Sequence, residues 1–236
     1  MSDIKCHTFV LVPGGWCGSW AWRDAIAALR KRGHDATSPT LTGLGERSHT
    51  GSDKADLDTH IEDVIAHLEM EDLRDVTLVG WSYSGMVVTG ALGRALTRIK
   101  SAIYLDAFVP EHGKAFIDYM NDKTRQFMER FSAHNLPVPP LPLEHFKLTE
   151  PSVVEFVKPR LRNQPWRTLF DPVAVSPDAA GIPKAYVRCT LHQQAALDEA
   201  LERMQNAGAR IATINADHFA PLTATELTVD TLIRFA

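Results

Sequence analysis

Thiols are scarce and poorly placed in this chain of 236 residues. Its three cysteines, Cys6, Cys17 and Cys189, are an odd number, widely spaced and without a C-x-x-C pair. That excludes a disulfide framework and a thiolate zinc site and leaves buried or semi-buried thiols as the reading. Ten histidines are scattered with no H-E-x-x-H spacing, so no metal is expected. Basic excess is absent as well: the formal net charge is −4, whereas a nucleic-acid footprint needs cations gathered on one face. No apolar run reaches the roughly 18 residues of a membrane span. Met1–Val10 lacks the charged, apolar, small-residue order of a secretory leader, and a cytoplasmic setting is expected. Neither G-x-G-x-x-G nor a G-K-[ST] ending occurs, so no nucleotide or other cofactor is expected. What remains, with 44% hydrophobic and 23% charged residues, is an ordinary globular composition, read as one domain over 1–236.

The informative stretch is Val76-Thr77-Leu78-Val79-Gly80-Trp81-Ser82-Tyr83-Ser84-Gly85. A β-branched, apolar run meets Gly80, turns through Ser82 and leaves as a helical pattern. This is the order of a nucleophile elbow, G-x-S-x-G, in which small neighbours let a serine stand at a strained strand-to-helix turn. Ser84 replaces the second glycine, and Gly85 follows to allow close packing of helix on strand. An ordinary turn containing serines is the competing reading.

Upstream, Cys6–Val12 is a continuous apolar strand of the kind buried on both faces. Pro13-Gly14-Gly15-Trp16-Cys17-Gly18 forms a glycine-rich loop before a helix over Ser19–Arg32 that Gly33 stops. A short strand at Asp35–Ser38 leads into a polar loop holding Arg47 and His49, and a helix capped by Asp58 or Thr59 precedes the elbow strand. The elbow helix is expected to end near Thr97. Ser101–Leu105 is another buried strand, finishing at Asp106. From 109 to about 182 prolines punctuate short amphipathic pieces, among them Phe116–Phe131 and Val153–Leu161. Such a stretch reads as an inserted helical cap, whose Phe116, Tyr119, Met120, Phe127, Phe131, Phe146 and Trp166 form either a roof over Ser82 or the cap's own core. Strands resume at Ala185–Cys189 and Arg210–Ile214, separated by a helix. Asn215-Ala216-Asp217-His218 then precedes a terminal helix. Alternating strands and helices call for an α/β architecture, a mostly parallel sheet flanked by helices with ligands beyond the carboxyl ends of the strands. Ser82, Asp106 and His218 all fall at such ends.

The order of parts resembles the α/β-hydrolase superfamily, in particular the small branch of plant methyl esterases, hydroxynitrile lyases and their bacterial esterase relatives. Pro13-Gly14-Gly15-Trp16-Cys17-Gly18-Ser19-Trp20 stands where those proteins carry His-Gly and then Gly-x-Trp, the elbow follows at the expected distance, and Ala216-Asp217-His218 matches their terminal histidine motif. The likeness covers nearly the whole chain. It aligns Cys6–Val12 with the family's third strand, which implies an α/β-hydrolase fold with a six-stranded sheet. Pro13 replaces the usual loop histidine but leaves the backbone amides.

The resemblance implies a serine hydrolase. A serine hydroxyl needs an imidazole to take its proton, and the imidazole needs a carboxylate to fix its tautomer. Ser82 and His218 fill the first two roles. In this branch the acid ends a Cys-Thr-x-Asp run, but here Cys189-Thr190-Leu191-His192 puts histidine there. Asp106 is the expected substitute, with Asp198 and Glu199 as alternatives. The oxyanion donors implied are the backbone amides of Gly15 and Tyr83. Trp16, Trp81, Phe116, Trp166 and Phe219 are candidate pocket residues, and Arg47 and His49 are either leaving-group contacts or solvated surface. The expected reaction is hydrolysis of an ester, carbamate or amide of a small, largely apolar substrate. The partner is that small molecule, not nucleic acid or membrane, with a homodimer left open. Other readings on the same fold are a hydroxynitrile lyase, disfavoured because Phe219 stands where those lyases hold a lysine, a cofactor-free oxygenase, and a non-catalytic ligand carrier.

Overall fold

A computed structural model describes residues 6–51 and 54–236. Of the stretch read above for a leader, residues 1–5 lie outside the described residues. The apolar runs become six strands: β1 (Thr8–Val12), β2 (Asp35–Thr37), β3 (Val76–Trp81), β4 (Ile99–Leu105), β5 (Lys184–Cys189) and β6 (Arg210–Ile214). They form one sheet in the order β2-β1-β3-β4-β5-β6, parallel at every pairing. This is the α/β-hydrolase fold, and no described helix is long and apolar enough to cross a membrane.

The twofold alternation of a strand divides the core between the faces of the sheet. Val10, Val12 and Leu78 pack with α2 (Leu57–Met70) and α3 (Ser84–Leu92) on one side. Phe9, Leu11, Val79, Trp81 and Ile103 pack with α1 (Arg23–Lys31) and the terminal α9 (Thr225–Phe235) on the other. Continuous apolar strands are therefore buried twice.

Element ends differ from the sequence reading for local reasons. The first helix opens as a 3-10 turn over Ser19–Trp22, whose first amide donates to the Thr40 hydroxyl at 2.9 Å. α2 begins earlier than expected: Asp56 is its cap, accepting from the Thr59 amide at 2.8 Å, while the Thr59 hydroxyl accepts from the Asp56 amide at 3.3 Å. α3 stops at Leu92 rather than near Thr97, because Gly93 abuts Ser176 of the insertion and β4 already starts at Ile99. Between β4 and β5 the insertion folds as a 3-10 turn at Phe116–Tyr119, α4 (Asp122–Ser132), a 3-10 turn at Leu143–Phe146, α5 (Pro151–Val157) and α6 (Arg167–Phe170). The Phe116–Phe131 piece is split because the Asn121 side chain caps α4. A two-residue bridge, Val138 with Gln164, ties the insertion to itself.

The elbow is locked by contacts that explain its departure from the glycine pattern. Ser84 fits where the second glycine was expected because its hydroxyl donates to the carbonyls of Val12 or Trp81, both at 2.9 Å, and accepts from the Trp81 amide at 2.8 Å. The residue that must lack a side chain is Gly85: a Cβ there would lie 1.9 Å from the Phe108 carbonyl oxygen. Gly85→Ala is expected to destabilise the fold by about 3 kcal/mol, at the upper end of overpacking costs, lowering the melting temperature by several degrees. Gly181→Ala, where nothing lies within 4 Å of the added methyl, is the control and should leave it within about one degree. Calorimetry of the two variants checks the contrast.

Candidate active site

Three strand ends converge. Ser82, between β3 and α3, has φ +59°, the left-handed region that costs a non-glycine residue about 1–2 kcal/mol. Neighbours hold it there: its amide donates to the Leu105 carbonyl at 3.2 Å, and its carbonyl accepts from the Phe108 amide at 3.1 Å. The same segment carries Asp106, itself at φ +43°, just beyond β4. Elbow and carboxylate are thus fixed to one another by backbone. His218 follows β6, and its carbonyl accepts the Trp81 indole N–H at 2.7 Å. Its ring stacks on Phe146 with centroids 5.2 Å apart and planes 15° apart.

The side chains form an unbroken chain of hydrogen bonds. Ser82 Oγ lies 2.8 Å from His218 Nε2, and His218 Nδ1 lies 2.7 Å from Asp106 Oδ2. Asp106 is fully buried and takes three further donors: His192 Nδ1 at 2.8 Å on Oδ2, and Arg188 Nη1 at 2.5 Å and the Cys189 amide at 3.0 Å on Oδ1. Burial opposes its charge, but the bonds from His192 and His218 and the charge of Arg188 outweigh burial and hold the carboxyl well below its ordinary range. An ionised carboxylate can only accept, so Nδ1 of His218 carries the proton and Nε2 is left to accept the Ser82 hydroxyl. Burial lowers the His218 imidazole to about 4, despite the opposing bond to Asp106. It is neutral at pH 7, as a proton acceptor must be.

The Gly15 and Tyr83 amides border the nucleophile from the β1 loop and the elbow. Neither donates to a backbone carbonyl among the described residues, while the adjacent Trp16 amide is taken by Gln164 Oε1 at 2.8 Å. Two narrow clefts meet at Ser82, with cavity volumes of about 10 and 20 Å³. Trp16, Phe146 and His218 line both; Trp81 and Phe219 line the first, and Phe116 lines the second. Trp166 lines neither. It precedes α6, packs on Phe170 and lies partly buried against the core cluster that holds Tyr83 and Phe116. Asp198 turns outward onto Arg188 at 2.9 Å and Glu199 is exposed, so neither reaches His218. Arg47 clamps Asp63 at 2.8 Å, and His49 is tied to the Glu46 carbonyl at the surface.

Some site residues escape the sequence reading. His192 was noticed only as a misplaced acid, Arg188 looks like any polar residue in a strand, and Gln164 sits in a cap without periodicity. Only His192, by its place in the Cys-Thr-x-Asp position, carried a signal. Among the described residues one cluster, Asp106, His192 and His218, has ligating atoms within 4.8 Å of one another. The facing nitrogens are already spent on Asp106, so a metal there would displace the protons that orient both rings.

Comparison with known proteins agrees with the fold. Residues 9–231 match the model of the alpha/beta hydrolase family. A carbendazim hydrolyzing esterase of Nocardioides sp. (strain SG-4G) is 45% identical over 150 residues, 59% of this chain and 62% of that protein. Methylesterase 10 of Arabidopsis thaliana is 30% identical over 113 residues, 48% of this chain and 41% of its own. The match thus spans less than two thirds of each relative. An extracellular alpha/beta-hydrolase from a Paenibacillus species superposes with a TM-score of 0.86 at 21% identity, covering 98% of this chain and 99% of its own. A methylesterase of Arabidopsis superposes at 0.74 with 24% identity, covering 97% and 98%. These two structures share the fold.

The histidine environment makes a pH prediction. An unfolded histidine titrates near 6.5, while folded His218 waits until about 4, and burial lowers His60 in the same direction. Between those values the unfolded chain binds protons that the folded chain refuses. Stability should therefore be intact above pH 6.5 and fall as the pH drops toward 4, with His218 contributing about 3 kcal/mol. Chemical denaturation across that range, with an NMR titration of His218, checks this. A His218 midpoint near 6.5 would contradict it.

Proposed function

The chain belongs to the alpha/beta hydrolase family, and from that premise we propose that it is a serine-dependent carboxylic-ester hydrolase acting on a small, largely apolar substrate. The observation that carries this reading is the Ser82, His218, Asp106 relay, with separations of 2.8 and 2.7 Å and each member buried. Relatives named as esterases support the reaction class.

In the proposed mechanism the Ser82 hydroxyl attacks the substrate carbonyl carbon as its proton passes to His218 Nε2. The imidazolium so formed is stabilised by ionised Asp106 through Nδ1. The carbonyl oxygen becomes an oxyanion, for which the Gly15 and Tyr83 amides are the donors. Each such donor is commonly worth about 3–4 kcal/mol in the transition state. Collapse breaks the bond to the alkoxy group, which leaves as the alcohol after taking the proton from Nε2. Water then attacks the acyl-enzyme, giving its proton to His218, and Ser82 is regenerated as the acid departs. Aromatic walls from Trp16, Trp81, Phe116 and Phe219 favour an apolar substrate. Phe219 offers no ammonium to hold cyanide, which speaks against a hydroxynitrile lyase.

With p-nitrophenyl esters of graded acyl length, the enzyme should show a burst of nitrophenol of one equivalent. Ser82→Ala should lose the burst entirely, with the fold retained by circular dichroism. Asp106→Asn should lose about 10³–10⁴ in kcat, the size expected when the histidine tautomer is no longer enforced. Glu199→Gln should stay within about threefold, the ordinary scale for an exposed substitution. Turnover that survives Ser82→Ala would defeat the proposal.

A further inference from the structure

Among the described residues, the one imidazole nitrogen that is fully buried and without a hydrogen-bond partner is Nε2 of His192. Its Nδ1 is committed to Asp106 at 2.8 Å, and its Nε2 has no hydrogen-bond partner although the side chain is only 2% exposed. A buried polar atom left unmade costs about 1–3 kcal/mol, so a site that keeps one open has a use for it or a bound molecule to fill it. The residue lines the second cleft together with Ser82, and its ring centroid is 4.3 Å from that of His218. Trp16, Phe116, Met120 and Phe146 form the apolar part of that cleft's wall, beside His145 and Gln194. Because Asp106 is ionised, Nδ1 of His192 must be the donor, and in the neutral imidazole the remaining nitrogen is a lone-pair acceptor.

We propose that His192 Nε2 is a specificity-determining acceptor, which selects carbonyl substrates bearing an O–H or N–H on the atom next to the reacting carbonyl. The inference rests on the hydrolase reading of the same site and adds what the substrate must carry. On this proposal the ring contact with His218, in the cleft that Ser82 also lines, would put a group bonded to Nε2 beside the carbon that Ser82 attacks. Apolar walls leave such a donor without another partner in the cleft except His145 and Gln194 at its rim. A substrate lacking the donor would leave Nε2 unpaired in the complex, which is how a buried acceptor rejects the wrong molecule.

Both enantiomers of methyl mandelate and of methyl 2-phenylpropanoate form the test, because a hydroxyl and a methyl of similar size exchange places beside the ester carbonyl. Wild-type kcat/KM should favour the better mandelate enantiomer by about tenfold or more, the worth of one buried hydrogen bond. His192→Asn keeps an amide N–H able to reach Asp106 but has nothing at the Nε2 position. It should slow both esters and reduce the preference to within about twofold. His192→Gln, whose amide reaches further, should restore part of the preference. A preference unchanged in His192→Asn would overturn the inference and leave His192 as a support for Asp106 alone. Should wild type hydrolyse neither ester, calorimetric binding of acetanilide and phenylacetone to Ser82→Ala separates the two ideas. Preferential binding of the N–H compound, lost when His192→Asn is added, would sustain the inference without the hydrolase reading. Equal binding of the two compounds would overturn it.

Discussion

One buried carboxylate holds the ends of three strands together. Asp106 has no exposed surface, yet it is ionised, which is tolerable only because four donors from β5 and the loops after β5 and β6 surround it. An unpaired charge at that depth would cost several kcal/mol, so each donor is needed as much by the fold as by the chemistry. The same bonds fix the tautomer of His218 and thereby decide which nitrogen meets Ser82. Stability and reactivity share one set of contacts here.

The elbow supplies the other half of the arrangement. Its left-handed serine is over-determined by bonds to Leu105 and Phe108, which flank Asp106 in sequence, so Ser82 and Asp106 cannot drift apart. Gly85 lets α3 lie against that segment, and the Ser84 hydroxyl ties β1, β3 and α3 at one point. The insertion is held by the glycine loop: the Trp16 indole donates to the Val138 carbonyl at 3.0 Å, and the Trp16 carbonyl accepts from the Arg162 amide at 3.0 Å. Insertion and glycine loop are therefore one mechanical unit.

What could be read from sequence was what has a period or a rule. Strands buried on both faces, the turn at Ser82 and histidine after the last strand all announce themselves through patterns set by the backbone. Asp106 could be inferred because its strand was expected beside the elbow strand. For Trp166, an aromatic in a proline-broken cap, no periodicity says which way it faces. Asp56 was passed over as a cap because Thr59 with Glu62 made an equally good pattern two or three residues later. Arg188 and His192 were hidden for a different reason: their roles come from a carboxylate 82 and 86 residues away, and no local rule pairs them with it.

The central claim is that Asp106 makes a reactive nucleophile of Ser82 through His218. Its most direct measurement is the rate and site of phosphonylation by an alkyl fluorophosphonate at pH 7, followed by intact-mass and peptide mass spectrometry. The account predicts a single adduct per chain, on Ser82, forming about 10³-fold faster in wild type than in Asp106→Ala. An adduct on another residue, or labelling of Ser82 at a rate indifferent to Asp106, would contradict it.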